Sequence, residues 1–221
     1  MNKYLLLACD KNFHEKRFNI EKQAKKFKYF ESIESVNLDL LVQSNFYKEH
    51  ISILSQKKGA GYCLWKPLII LNLLNSINDN DCILYMDSED IFINTPDQEL
   101  DDYMTKNDIL ITSGSYKQSD YTKRDCFHFM DCDTEEYHSA FQIECGIICV
   151  KKTEKSIKLV QEWLYYACNE NIITDAENIC GKKNLHGFID HRYDQSILTN
   201  LVVKYKIETT NLLRKYIKCN A

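Results

Sequence analysis

The chain has 221 residues, 44% hydrophobic and 27% charged, a composition that supports one sizeable buried core and argues against wholesale disorder. Six glycines and two prolines exclude collagen-like and Pro- or Gly-rich low-complexity classes. With 28 basic against 32 acidic residues, a net charge of −4 and no basic block, the chain is a poor match for nucleic acid bound through its phosphates. Ten cysteines are too sparse for a disulfide scaffold, and several sit inside apolar runs as small hydrophobes, so reduced thiols and a cytoplasmic setting are expected. No linker interrupts the chain, and residues 1–221 read as a single domain.

Residues 3–9 form a short apolar run. Its end at Cys9 is similar to a lipoprotein cleavage box, but five apolar residues are too few for a leader, and a first core strand is expected. Residues 13–30 alternate apolar and Lys/Glu positions as an amphipathic helix with a solvated face. A second strand is expected over 33–39 and a helix over 44–55, started by Ser44. Gly59-Ala60-Gly61 breaks the chain, and Pro67 sits in the first turn of a helix reaching Ile77. Cys82–Met86 reads as a buried strand and 109–112 as another. Residues 115–139, polar and aromatic, read as an active-site loop or lid. Residues 147–150 give a strand, 154–168 a helix, 170–190 a loop and 195–203 a helix. No run approaches the ~20 apolar residues of a membrane span, so no integral membrane segment is expected. Strands alternating with helices through the first half predict an α/β fold with a central, mostly parallel twisted sheet flanked by helices.

The strongest chemical signal is Asp87-Ser88-Glu89-Asp90 at the end of the Cys82–Met86 run. Ligands in open α/β sheets bind beyond the carboxyl ends of strands. Carboxylates gathered there repel one another unless a cation sits between them, and hard oxygen ligands suit Mn²⁺ or Mg²⁺. A Ca²⁺ loop is excluded, because Phe92 stands where such a loop needs glycine. Upstream, Lys66 lies at a predicted helix N-terminus, where both its charge and the unpaired N–H groups favour a diphosphate; otherwise it is a surface cap with Trp65 in the core. Downstream, Gln142-Ile143-Glu144-Cys145-Gly146 precedes a predicted strand, and His186 to Leu198 contains Asp194 where it would favour a helix N-terminus. His186 or His191 is a possible third metal ligand.

These segments together resemble nucleotide-sugar glycosyltransferases of the GT-A fold. Leu84-Tyr85-Met86-Asp87-Ser88-Glu89 resembles their Asp-x-Asp signature. Gly61-Tyr62-Cys63-Leu64-Trp65-Lys66-Pro67 is similar to a Gly-Tyr-x-x-Trp-Lys-Pro stretch of small bacterial and viral polysaccharide transferases, and Asp194-Gln195 to an element near the donor sugar. The resemblance implies a metal-dependent hexosyl- or deoxyhexosyl-transferase of polysaccharide biosynthesis. It would move a sugar from a nucleotide diphosphate donor, with a UDP-sugar favoured, to an acceptor hydroxyl of a glycan or glycoconjugate. It places the metal on Asp87 with either Glu89 or Asp90. Base and ribose would meet Ala8, Cys9 and Asn12. Trp65, Lys66, Ser88, Gln142, Arg192 and Gln195 would line the remaining donor site, with Asp194 and Glu144 catalytic. Residues 1–113 would form the nucleotide-binding half and 114–221 the acceptor and sugar half.

Two other classes share some of these features. A nucleotidyltransferase or other phosphoryl enzyme also uses a carboxylate–metal site, although no P-loop is present. A zinc-containing binding module would draw on Cys126, His128, Cys132 and His138, with Cys145 and Cys149 close by, but the spacing lacks a Cys-x₂-Cys knuckle.

Overall fold

The computed structural model describes residues 1–219. Its centre is a five-stranded sheet in the order β2-β1-β3-β6-β5, formed by β1 (Lys3–Cys9), β2 (Ser32–Asn37), β3 (Cys82–Asp87), β5 (Ile109–Lys117) and β6 (Phe141–Lys151). β1 pairs in parallel with both β2 and β3, while β6 runs antiparallel to β3 and β5. Four strands therefore point one way and β6 alone points back. A small ribbon of β4 (Ile91–Phe92) and β7 (Ile217–Lys218) follows the acidic segment.

The near-continuous apolar run of β1 has the physical reason expected of a strand covered on both faces. Leu6 and Ala8 join one core with Ile83, Tyr85 and Ile148, whereas Leu5 and Leu7 join the other with Leu84, Met86 and Ile147. The first core is covered by α2 (Trp65–Ser76), α4 (Glu154–Ala167) and α5 (Tyr193–Lys204), and the second by α1 (His14–Phe27) and α3 (Gln98–Lys106). Pro67 is tolerated because the first turn of α2 leaves its N–H groups without intrahelical partners. Thr153 and Ser156 cap α4 reciprocally, and Trp163 Nε1 donates to the Asp194 carbonyl at 3.1 Å, fastening α4 to the start of α5.

Three expected segments differ. Ser44 caps a helix that ends at Glu49, and a separate turn covers Ile51–Leu54, because His50 leaves helical geometry between them. The β6 strand begins at Phe141, so Gln142, Glu144 and Gly146 lie inside a strand and not in a turn before one. Residues 115–139 are not an open lid: helical turns at Gln118–Tyr121, Arg124–Phe129 and Glu135–His138 pack into the fold, with Cys126 and Phe127 fully buried. The polar residues that suggested a loop are consumed internally. Asp125 accepts the N–H groups of Ile179 and Cys180, and Asp133 meets Arg124, His138 and Lys182.

The zinc grouping does not assemble. Cys126 contacts Met130 and Asn200, Cys132 meets the Met130 carbonyl, His138 pairs with Asp133, and His128 is exposed. Cys145 and Cys149 belong to opposite faces of the sheet. His191 is likewise tied up in the core, 1% exposed, accepting from the Lys123 N–H and donating from Nε2 to the Ile172 carbonyl at 2.8 Å. Burial, then the nearby Lys123 charge, pushes its pKa down from 6.5 to about 3.

Unfolded His191 thus takes up a proton near pH 6.5, while the folded residue stays neutral to about pH 3. Its stability contribution is complete above pH 6.5 and is lost as pH falls, at about 1.4 kcal/mol per unit. Urea unfolding between pH 7 and 4.5 should show a steeper loss of stability in the wild type than in His191→Asn.

Candidate functional site

The site is built from four chain segments that meet at the carboxyl ends of β1 and β3. The first is a tight turn. Gly59, Ala60, Gly61, Tyr62 and Cys63 all have positive φ, from 48° to 95°, so the chain makes one left-handed turn before α2. Left-handed geometry costs on the order of 1–2 kcal/mol for each residue that carries a Cβ, and Ala60, Tyr62 and Cys63 all bear it. Glycine is required at 61 for space as well: a Cβ there would lie 2.7 Å from the Leu54 Cα.

This turn delivers Lys66 to the protein interior. Lys66 is 3% exposed, so it is not a surface cap. Its Nζ donates to the Cys145 carbonyl at 3.1 Å and stands 3.3 Å from Asp87 Oδ1 and 3.5 Å from Asp194 Oδ2. Burial opposes the lysine charge, but Asp194 and then Asp87 outweigh it and hold its pKa well above the ordinary value. Burial pushes the Asp194 carboxyl upward, against the pull of Lys66. The Cys63 and Cys145 thiols lie beside Asp194, and burial keeps both protonated.

The carbonyl that Lys66 reaches is exposed by an irregularity in β6. The pairing with β5 steps from Ile111↔Ile148 to Thr112↔Glu144, leaving Cys145, Gly146 and Ile147 opposite a single step of the partner strand. Such a bulge re-aims side chains and frees backbone groups. At Gly146 it also creates room: a Cβ there would sit 3.1 Å from Asp87 Oδ2 and 3.2 Å from Asp90 Oδ2. Two carboxylate oxygens therefore face the same bare stretch of backbone. Asp87 is further held by the Tyr85 hydroxyl, two residues back on the same strand face.

This geometry fits a divalent ion of the Mg²⁺ type, which is often bound by one or two carboxylates and completed by phosphate oxygens and water. Among the described residues no group of three or more His, Cys, Asp and Glu side chains is gathered for a metal; the carboxylates that face Gly146 are those of Asp87 and Asp90. Glu89 is instead directed to Lys16, 3.3 Å away at the surface.

The remaining expected residues fall into distinct places. Ala8 and Cys9 end β1, buried, and Ser88 Oγ donates to the Ala8 carbonyl at 2.6 Å, pinning the two strand ends together. Asn12 is exposed just beyond, its N–H held by Asp10. Trp65 is buried with its indole N–H on the Gly59 carbonyl. Gln142 and Gln195 bond each other at 2.6 Å, and Arg192 is exposed over the Tyr121 ring. Glu144 is paired with Arg214 and contacts Cys219. His186 is exposed.

Three participants escaped the sequence reading. Tyr85 had a signal, since residues two apart share a strand face. Arg214 and Cys219 had none, because tertiary contacts, the β4–β7 pairing among them, bring this segment to the acids. Tyr193 has φ 46° immediately before Asp194, and its ring packs edge-on against Tyr62 at 4.9 Å. The strained segments that present Lys66 and Asp194 thus brace one another, as backbone strain held at a functional site requires.

No family model matches the chain, and no curated protein does. Solved structures do. The apo form of mouse xyloside xylosyltransferase 1 aligns over 95% of this chain and 84% of its own, at 10% identity and a TM-score of 0.50. The apo structure of the WbbM bifunctional glycosyltransferase aligns over 90% of this chain and 37% of its own, with the same identity and TM-score. A glycosyltransferase involved in glycosylation of the major capsid of PBCV-1 gives a TM-score of 0.43 at 12% identity, over 75% of this chain and 66% of its own. The chain has a GT-A-like glycosyltransferase fold.

Replacing Lys66 by Met should cost about 3–5 kcal/mol, because Asp87 and Asp194 are left without their buried cation. Chemical denaturation measures this, and a change below ~1 kcal/mol, the scale of a surface pair, would contradict the geometry. Gly61→Ala should also lower the denaturation midpoint, through both its φ of 95° and the 2.7 Å approach to Leu54.

Proposed function

We propose that this protein is a metal-dependent glycosyltransferase that moves a sugar from a nucleoside diphosphate sugar to a hydroxyl of a glycan or glycoconjugate. The observation that carries this reading is the approach of Asp87 and Asp90 to the bare Gly146 backbone, at the carboxyl ends of parallel strands in a GT-A-like fold. UDP-sugars are the favoured donor class, by the sequence resemblance described above.

When bound, Mn²⁺ or Mg²⁺ would neutralise charge on the leaving diphosphate. Asp87 and Asp90 would hold it, with Tyr85 fixing the rotamer of Asp87. Ser88 keeps the end of β1 beside the acids, where Ala8, Cys9 and Asn12 would border the base and ribose. Lys66 acts from beneath. Its ammonium offsets the repulsion between Asp87 and Asp194 and fixes both carboxylates before substrate arrives, an electrostatic preorganisation. It is a positioning residue in this scheme. Asp194 would act at the reacting sugar, and Gln142 with Gln195 would shape the wall beside it. Glu144 is held by Arg214, so the two together form the rim contributed by the end of the chain.

Donor binding tests the reading. Titration calorimetry with a panel of UDP-, GDP- and dTDP-sugars should show binding of at least one donor that requires Mn²⁺ or Mg²⁺. Asp87→Asn and Asp90→Asn should each reduce metal-dependent donor hydrolysis by 100-fold or more, of the order expected for a lost electrostatic contact in catalysis. Glu89→Gln should stay within about threefold of wild type, as for an exposed charge. Equal losses at all three positions, or full activity in a folded Asp87→Asn variant, would remove the mechanism. The raised pKa of Asp194 predicts one further result. Activity should fall with acidity at a pH above the ordinary aspartate range near 3.9, and that limb should disappear in Asp194→Asn.

A further inference from the structure

A cavity of about 650 Å³ opens at the end of the sheet opposite the candidate site. β5 runs the same way as β1 and β3. The cavity lies at the start of β5, on Ile109, whereas Asp87 lies at the finish of β3. At about 3.3 Å a residue, the length of β3 puts roughly 20 Å between the two ends. Clefts of about 300–1,000 Å³, apolar and aromatic within and carrying a few polar groups, are the usual form of a small-molecule site. Of the residues lining this one, Ile109 and Leu159 are buried and Tyr103 half-buried, while Lys155, Lys158, Tyr205 and Lys206 are exposed. Its interior is thus apolar and aromatic, and its mouth is cationic.

Three helices and the chain after one of them build it. Lys155 and Lys158 are three residues apart on α4 and share a helix face. Tyr103 lies on α3, and Tyr205 and Lys206 follow α5. The segment after α5 is pinned at several points. The Lys206 N–H donates to the Val203 carbonyl at 3.1 Å, the Ile207 N–H to the Val202 carbonyl at 3.0 Å, and the Thr210 N–H to the Ile111 carbonyl of β5 at 3.0 Å. The Tyr205 hydroxyl donates to Glu162. The wall is therefore preformed, which spares a ligand the cost of ordering it.

Charge decides what the cavity takes. Asp108 also lines it but stands 3.4 Å from the buried Lys151 ammonium. Glu162, one turn beyond Lys158, is held by Lys204 and Tyr205. Among the described residues no ion pair uses Lys155, Lys158 or Lys206. Glu208 is the remaining acid of the lining, so three lysines outnumber it.

We infer that this cavity binds an aromatic monophosphate, with its ring among Tyr103, Ile109 and Leu159 and its phosphate at Lys155, Lys158 and Lys206. An aliphatic chain would also use the apolar interior, but a ring gains in addition the stacked or edge-on contact that a tyrosine offers. A carboxylate carries one charge, whereas a phosphate monoester carries about two at pH 7 and meets several lysines at once. The site is independent of the transferase reading, since it shares no residue with the proposed donor site.

Titration calorimetry with 1-naphthyl phosphate tests this, in EDTA so that the divalent ion proposed at Asp87 and Asp90 is removed. The wild type should bind this probe about tenfold or more tightly than inorganic phosphate, 1-naphthol or octyl phosphate. The double variant Lys155→Ala/Lys158→Ala should lose about tenfold or more, the scale of lost charge-assisted contacts. The control Lys22→Ala/Lys25→Ala removes two exposed lysines from α1, which covers the other face of the sheet, and should retain wild-type affinity. Naphthyl phosphate bound no better than the three comparison compounds, or equally by wild type and the Lys155/Lys158 variant, overturns the site. An equal loss in the α1 control also overturns it, because binding then follows net charge and not this cavity.

Discussion

The ammonium of Lys66 is the point on which the site depends. It brings together the end of β3 through Asp87, the start of α5 through Asp194 and the bulge of β6 through the Cys145 carbonyl. Two carboxylates converging on one point, Asp194 buried and Asp87 partly exposed, would repel one another and favour protonation or separation. One buried cation between them permits both to be held in place. The same burial makes the arrangement unforgiving, because each partner is costly to leave alone.

Strain is distributed around this point. A left-handed turn precedes Lys66 and a positive φ precedes Asp194. Such geometry persists only where the surroundings over-determine it. Here Tyr62 and Tyr193 pack ring to ring, and Asp175 binds both the Tyr62 hydroxyl and Lys58. Each strained segment therefore supports the other, and the cation and its acid are presented from two directions by one interlocked structure.

On the solvent side the decisive feature is a missing side chain. Gly146 lies in a β-bulge, and Asp87 and Asp90 turn toward its bare backbone. The end of the chain completes this rim: β7 pairs with β4 just after the acids, and Arg214 reaches Glu144. The result is a layered arrangement, with the Lys66 ammonium beneath Asp87 and Asp194. Within the described residues no helix is long and apolar enough to cross a membrane.

Much of this was legible in the sequence. Continuous apolar runs at 3–9 and 82–86 specify buried central strands, because only a sheet covered on both faces can use every position. The three acids between Asp87 and Asp90 mark a strand end by the abrupt change from apolar to charged. The α/β class follows from alternating periodicities, which are local properties. Tertiary structure decided what locality cannot express. Polar content in 115–139 reads as a loop, yet Asp125 and Asp133 find partners more than forty residues away, and Asp125 becomes fully buried and Asp133 half-buried. Spacing does not tell that Asp90 faces Gly146 while Glu89 meets Lys16, because Gly146 lies on a strand from elsewhere in the chain. Nor does it reveal that Lys66 points inward: a lysine is hydrophilic by composition, and its burial is offset by the buried Asp194, the partly exposed Asp87 and the Cys145 carbonyl.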